Sequence, residues 1–166
     1  MKSIYLIGFM GTGKSTVAYE LRKKTAAILV EMDQVIEEQQ KKTIPEIFDE
    51  FGEEYFRDIE TDLLLSFEQE DNLIVSCGGG SVLREANTAS MKKHGKIVWL
   101  TATPETVYER VKNSTNRPVL NGNMNVEYIR ELMEKRRARY EEVADITVST
   151  DEKSVQDICA EILKRL

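Results

Sequence analysis

The sequence predicts a three-layer α/β fold, a five-stranded parallel sheet with helices on both faces, and three observations carry that prediction. Short runs rich in Ile, Val and Leu alternate with longer helical patterns along the whole chain. The first run ends in a glycine-rich turn that opens a helix. Glu31/Asp33, Gly78 to Gly80 and the loop at Gly8 all fall at the carboxyl ends of predicted strands. Open α/β sheets place their ligands at such ends.

Taken in order, Lys2 to Gly8 reads as a strand, because Ile4, Tyr5, Leu6 and Ile7 form an apolar run bounded by glycine. Gly13 to Lys24 reads as a helix and Ala27 to Val30 as the second strand. An acidic helix follows from about Asp33 to Lys42. Thr43 and Glu46 have capping-box spacing and open another, IPEIFDEF, which stops at Gly52. A longer helix is expected from Glu53 to about Phe67, then a third strand, Leu73 to Cys77, ended by three glycines. A helical stretch to about Lys93 leads into strand KIVWL, and Thr103-Pro104-Glu105 starts the next helix with proline at its first position. Beyond a polar loop (113–124), a helix runs from about Val126 to Val143, followed by strand DITVST and a last helix, Ser154 to Leu166.

At 166 residues, 41% hydrophobic and 31% charged, the chain has the size and composition of one globular domain. No stretch approaches the length of a membrane span, and the apolar N-terminus runs into glycines and a lysine without a cleavage site. A cytoplasmic protein is expected, with no membrane partner. No oligomerisation module is visible, so a monomer is expected as well. Cys77, Cys159 and the single His94 make neither a disulfide framework nor a metal cluster and are expected to have no catalytic role. A net charge of −6 argues against a general nucleic-acid binder. The charge is uneven, however: residues 110–139 hold eight Lys/Arg against three Glu. A solvated helix face and a site for a small anion are both open readings of that stretch.

Gly8-Phe9-Met10-Gly11-Thr12-Gly13-Lys14-Ser15 matches G-x-x-x-x-G-K-[ST] between a predicted strand and a predicted helix. Glycines let backbone N–H groups wrap phosphates closely, and the helix N-terminus adds partial positive charge. Lys14 is expected to reach the β- and γ-phosphates of a nucleoside triphosphate, and the Ser15 hydroxyl to ligate Mg²⁺. A GTPase would need N-K-x-D after a later strand, and the chain has none. Asp49 to Gly52 fits D-x-x-G by letter, but it lies in a helical pattern and follows no strand.

Six segments together, GFMGTGKST, the carboxylates Glu31 and Asp33, FRDIE (56–60), SCGGG (76–80), RPVL (117–120) and MEKRRARY (133–140), resemble shikimate kinase over essentially the whole chain. The resemblance implies a nucleoside monophosphate kinase-like P-loop fold, with a substrate-binding helical region at about 34–60 and a lid at about 112–124. It implies transfer of the γ-phosphoryl of ATP to the 3-hydroxyl of shikimate, a step of chorismate and aromatic amino-acid synthesis, with Mg²⁺ as cofactor. ATP is then expected on Gly11, Thr12, Gly13, Lys14, Ser15 and Thr16, with Arg117 on its phosphates and Arg110 against adenine. Shikimate is expected on Asp33, Arg57, Gly79 and Arg136, between walls formed by Phe48 and Phe56. Lys14 and Asp33 are the expected catalytic residues. The family usually has Asp-x-Asp where this chain has Glu31-Met32-Asp33, so Glu31, one methylene longer, is expected to hold the metal through water. RPVL replaces the commoner RPLL, trimming one carbon from a lid contact.

Two of these residues keep plain alternatives. Arg57 could form an ordinary helical pair with Glu60, three residues on, and Arg136 stands beside Arg137 and Arg139, which could be mere helix surface. A kinase of another small acceptor, such as gluconate or a nucleoside monophosphate, and a nucleotide-binding module without turnover are the rival readings.

Overall fold

The structure, a computed structural model, describes residues 2–113 and 124–166. Five parallel strands, β1 (Ser3–Ile7), β2 (Ile28–Glu31), β3 (Leu73–Ser76), β4 (Gly95–Thr101) and β5 (Ile146–Ser149), form one sheet in the order β2-β3-β1-β4-β5. All of β1 is buried, because helices cover both faces and neither alternate set of side chains meets water. Ile4 and Leu6 join Val17, Leu21, Val98, Val148 and Ile162 on one face, beneath α1 (Lys14–Thr25) and α8 (Val155–Arg165). Tyr5 and Ile7 point the other way, into a core with Met32, Ile36, Ile47, Phe56, Leu64, Ile97 and Tyr140. That face is covered by α2 (Met32–Gln40), α3 (Ile44–Phe51), α4 (Glu53–Leu65), α5 (Glu85–His94) and α7 (Val126–Val143).

Helix starts follow their caps. Thr43 and Glu46 close a full capping box on α3, with the Glu46 N–H on Thr43 Oγ1 (3.3 Å) and the Thr43 N–H on Glu46 Oε1 (3.1 Å). Thr103 caps α6 (Pro104–Val111), Asn125 caps α7 and Ser154 caps α8. Asp49 and Gly52 belong to the end of α3 and its C-cap, so D-x-x-G is a coincidence of letters.

Several boundaries differ from expectation by a residue or more, and four of them are instructive. The second strand runs to Glu31, which is both its last residue and the N-cap of α2. α1 begins at Lys14, since Gly13 is its left-handed N-cap. α4 ends at Leu65 in a 3₁₀ turn, Ser66–Gln69, where the Ser66 hydroxyl donates to the Leu63 carbonyl at 2.5 Å and competes with the helical ladder. The helical stretch after the glycines is a 3₁₀ turn, Ser81–Leu83, followed by α5. Among the described residues no helix is long and apolar enough to cross a membrane.

Leaving β1 the chain builds β2 and β3 on one side of it, then β4 and β5 on the other. The carboxyl ends of β1 and β3 therefore border a topological switch point, where open α/β sheets leave a crevice. Close approach of β1 and β4 depends on Gly95, where a Cβ would run into the Ser3 carbonyl and the Tyr5 ring. Replacing Gly95 with alanine should cost ~1–3 kcal/mol by overpacking, seen as a lower denaturation midpoint with the circular-dichroism spectrum of the native fold retained.

Candidate active site

The phosphate loop leaves β1 at Gly8 and turns into α1 through Gly11 (φ 79°) and Gly13 (φ 91°), a region that side-chain-bearing residues rarely occupy. No side chain caps α1, so its first N–H groups face the crevice as anion donors. Lys14 Nζ donates to the carbonyls of Gly8 (2.8 Å) and Phe9 (3.0 Å), which holds its ammonium inside the curve of the loop. Gly11, Gly13, Lys14, Ser15 and Thr16 line a cleft of about 620 Å³. Thr12 does not offer its side chain to that cleft: its hydroxyl is buried and donates to the Phe9 carbonyl at 2.8 Å, bracing the loop from inside. Only its backbone is left for a phosphate.

Opposite the loop stand the two carboxylates. Glu31 ends β2 and Asp33 lies in the first turn of α2, so the short strand-to-helix passage turns both into the same cleft. Ser15 Oγ donates to Glu31 Oε2 at 3.0 Å, joining the two residues expected near a metal. Burial pushes the Glu31 carboxyl above its ordinary range, against hydrogen bonds from Ser15 and Ser76, and the nearby Asp33 adds to the rise. Among the described residues no three His, Cys, Asp or Glu side chains gather as a cation cage. A hydroxyl and one carboxylate beside a phosphate-binding loop are instead the sparse, all-oxygen donor set that suits Mg²⁺, which keeps several waters and leans on phosphate oxygens.

Behind Gly78 and Gly79, which line the cleft, stands a cationic wall. Arg57 on α4 is 8% exposed and Arg136 on α7 is also 8% exposed, low values for side chains that are almost never buried without a partner. Arg57 Nη1 donates to Glu60 Oε1 at 3.0 Å, and Glu60 is fully buried, so this is no surface pair. Burial pushes the Glu60 carboxyl up against the pull of Arg57. Its Oε2 is buried with no hydrogen-bond partner among the described residues. Gly78, Gly79 and Gly80 lie over this wall, each beside a different charged group. A Cβ on Gly80 would collide with the Arg57 guanidinium. One on Gly79 would come within 3.4 Å of Arg136 Nη1, and one on Gly78 within 2.7 Å of Glu60 Oε2 and 3.2 Å of Asp33 Oδ1. Phe48 and Phe56 pack with ring centroids 5.1 Å apart, and the Arg57 guanidinium lies 5.3 Å from the Phe56 ring.

The structure separates the three neighbouring arginines of α7. Arg136 points inward, 5.7 Å from the Phe9 ring. Arg137 is exposed and pairs with Glu134 and Glu141. Arg139 clamps the helix to the segment after the glycines, donating to the Val82 carbonyl (2.6 Å) and the Thr88 hydroxyl (2.7 Å). Arg110 donates to the Gly11 carbonyl (3.0 Å) and Thr150 Oγ1 (3.3 Å), at the rim of the phosphate loop. Arg117 and residues 114–123 of the expected lid lie outside the described residues. Burial pushes the Cys77 thiol far up, consistent with no nucleophilic role. Two residues beside the glycines escaped the sequence reading. Ser81 donates to the Gly78 carbonyl through Oγ (2.7 Å) and its N–H (3.1 Å), while the Tyr140 hydroxyl donates to the Gly79 carbonyl. Ser81 directly follows the glycines and Tyr140 lies one helical turn beyond Arg136, but neither spacing announces a hydrogen bond.

A parallel sheet ordered β2-β3-β1-β4-β5 with the phosphate loop after its central strand defines a P-loop kinase of small molecules. The sequence model of the shikimate kinase family, "Shikimate kinase", matches residues 10–166. A shikimate kinase of Persephonella marina is 45% identical over all of this chain and 99% of its own length, and one from Bacillus anthracis is 41% identical over the same shares. The chain belongs to the shikimate kinase family, and it is an enzyme, a phosphotransferase. The solved shikimate kinase of Acinetobacter baumannii in complex with shikimate superimposes with a TM-score of 0.95 at 32% identity, covering 99% of this chain and 92% of that one. A gluconokinase from Sinorhizobium meliloti, at 17% identity and a TM-score of 0.62, covering 99% of this chain and 90% of that one, shares the fold alone.

The half-buried Glu31 gives a pH test of its environment. A carboxyl whose folded pKa is raised stabilises the fold below its unfolded pKa, and that contribution is lost as pH rises through the folded pKa. Glu31→Gln removes the charge and keeps an acceptor for Ser15. The variant should match wild type in denaturation midpoint near about pH 4 and gain on it as pH is raised to about 8.

Proposed function

We propose that the chain transfers the γ-phosphoryl group of ATP to the 3-hydroxyl of shikimate, releasing shikimate 3-phosphate and ADP. The observation that carries this reading is the pair of buried guanidiniums, Arg57 and Arg136, set beside Gly80 and Gly79, with Asp33 beside Gly78. Two planar forks and a side-chain-free loop suit a ring carboxylate, and the adjacent Asp33 suits ring hydroxyls. The A. baumannii relative, solved with shikimate, supports the same substrate.

In this reading the backbone N–H groups from Gly11 to Thr16 cradle the phosphates, and Lys14 moves from the loop carbonyls to the β- and γ-oxygens. Arg110 flanks the nucleotide at the rim. Arg57 and Arg136 hold the acceptor carboxylate, which fixes the 3-hydroxyl in line with the γ-phosphorus. Asp33 binds that hydroxyl and takes its proton as the new P–O bond forms and the bond to ADP breaks. Ser15, with Glu31 through water, would hold a Mg²⁺ ion, which when bound offsets phosphate charge. Residues 34–60 form the substrate-binding region, and 112–124, with Arg117, the lid that excludes water.

A coupled ADP-release assay offering shikimate, gluconate and nucleoside monophosphates in parallel tests the assignment; good turnover with another acceptor and none with shikimate would overturn it. Arg136→Ala should weaken shikimate recognition by ~2–5 kcal/mol, the cost of stranding the partner of a buried charge, with the KM for ATP unchanged. Glu31→Asp should shift the Mg²⁺ concentration needed for half-maximal rate; an unchanged Mg²⁺ dependence removes Glu31 from the metal shell and leaves Asp33 untouched.

A further inference from the structure

We infer that Tyr140 is a positioning residue that ties α7, one turn beyond Arg136, to the glycine loop and thereby sets the geometry in which the acceptor's carboxylate is held, an inference that rests on the proposed substrate. Tyr140 is 2% exposed, and its ring stacks on Trp99 with centroids 5.6 Å apart and planes 23° off parallel. Its hydroxyl donates to the carbonyl of Gly79, the residue that lies against Arg136, where a Cβ would come within 3.4 Å of Nη1. The phenol thus pins the peptide that the guanidinium faces.

The link matters because of the glycines. The peptide plane between Gly78 and Gly79 is held through its carbonyl by Ser81, whose hydroxyl and N–H both donate to it. The next plane, between Gly79 and Gly80, is held through its carbonyl by Tyr140. With glycine on both sides, side-chain sterics offer almost no resistance to rotation of that plane. Its orientation decides where the Gly80 N–H points, beside the Arg57 guanidinium. Without the phenol, Arg136 and the loop would each keep their place in the fold but lose their common register. The stack on Trp99 fixes the ring independently of the hydroxyl, so phenylalanine fits the same space.

The experiment compares wild type, Tyr140→Phe and Trp99→Phe with two acceptors, shikimate and its neutral carboxamide, and with denaturation midpoints measured on each protein. Tyr140→Phe should raise the KM for shikimate about tenfold, the scale of one hydrogen bond lost beside a charged group, with kcat within about twofold and the KM for ATP unchanged. With the carboxamide, which makes no ion pair with Arg136, the same substitution should leave the KM within about twofold of wild type. Trp99→Phe keeps the hydroxyl and should leave both KM values unchanged. An unchanged KM for shikimate in Tyr140→Phe overturns the inference. So does an equal rise for both acceptors, or a matching rise in Trp99→Phe, because each would assign the effect to packing. Wild type that fails to phosphorylate shikimate refutes the substrate assignment instead, and that control is read first.

Discussion

The burial of Arg57 against Glu60 is the interaction on which the rest of the site depends. A guanidinium and a carboxylate removed from water lose hydration worth several kcal/mol each, and their mutual attraction returns this only with good geometry. Here the pair spans one turn of α4 at 3.0 Å, with Glu60 fully buried and Arg57 nearly so. Such a pair is weak grounds for stability. Its consequence is positional: the guanidinium is held at a fixed height above α4, directly beneath Gly80. The loop after β3 must then pass close over two charged groups, and a run of three glycines is what lets it do so.

Those constraints explain why part of the site was legible in the sequence and part was not. The phosphate loop is local: its glycines, lysine and serine are contiguous, and the strand before it and helix after it follow from the same stretch, so motif and geometry coincide. The acceptor wall is not local. Arg57, Gly79 and Arg136 come from α4, the loop after β3 and α7, and only the sheet order brings them together. They follow only from resemblance to a family, since spacing alone leaves Arg57 a candidate surface pair and Arg136 indistinguishable from Arg137 and Arg139. The carboxyl end of β2 lay one residue beyond its expected place, because Glu31 pairs with Ser76 in the sheet despite its charge. Ser81 and Tyr140 carried no signal at all: Ser81 turns back on the Gly78 carbonyl three residues before it, and Tyr140 reaches the Gly79 carbonyl across the fold.

The basic stretch from 110 to 139 resolves both of its readings at once. On a helix, residues 136 and 140 share a face, residue 139 flanks it and residue 137 turns away. α7 obeys that geometry: Arg136 and Tyr140 are buried, Arg139 is docked on Val82 and Thr88, and Arg137 pairs with glutamates in solvent. Local charge excess thus distinguishes neither a solvated face nor an anion site, because one helix turn supplies both.

The two walls of the cleft also divide the electrostatic work. Ser15 and Glu31 meet at 3.0 Å on the side of the phosphate loop, whereas Arg57 and Arg136 lie beside the glycines. Asp33 lies beside Gly78, its Oδ1 3.2 Å from where a Cβ would sit, and its charge raises the Glu31 carboxyl. Moving either carboxylate changes the other, since like charges in a shared, half-buried cleft resist ionising together. That coupling assigns a physical meaning to the longer side chain at position 31. A glutamate reaches its Ser15 partner from the end of β2 with one more methylene than aspartate, so its carboxylate engages the phosphate loop while still feeling the charge of Asp33.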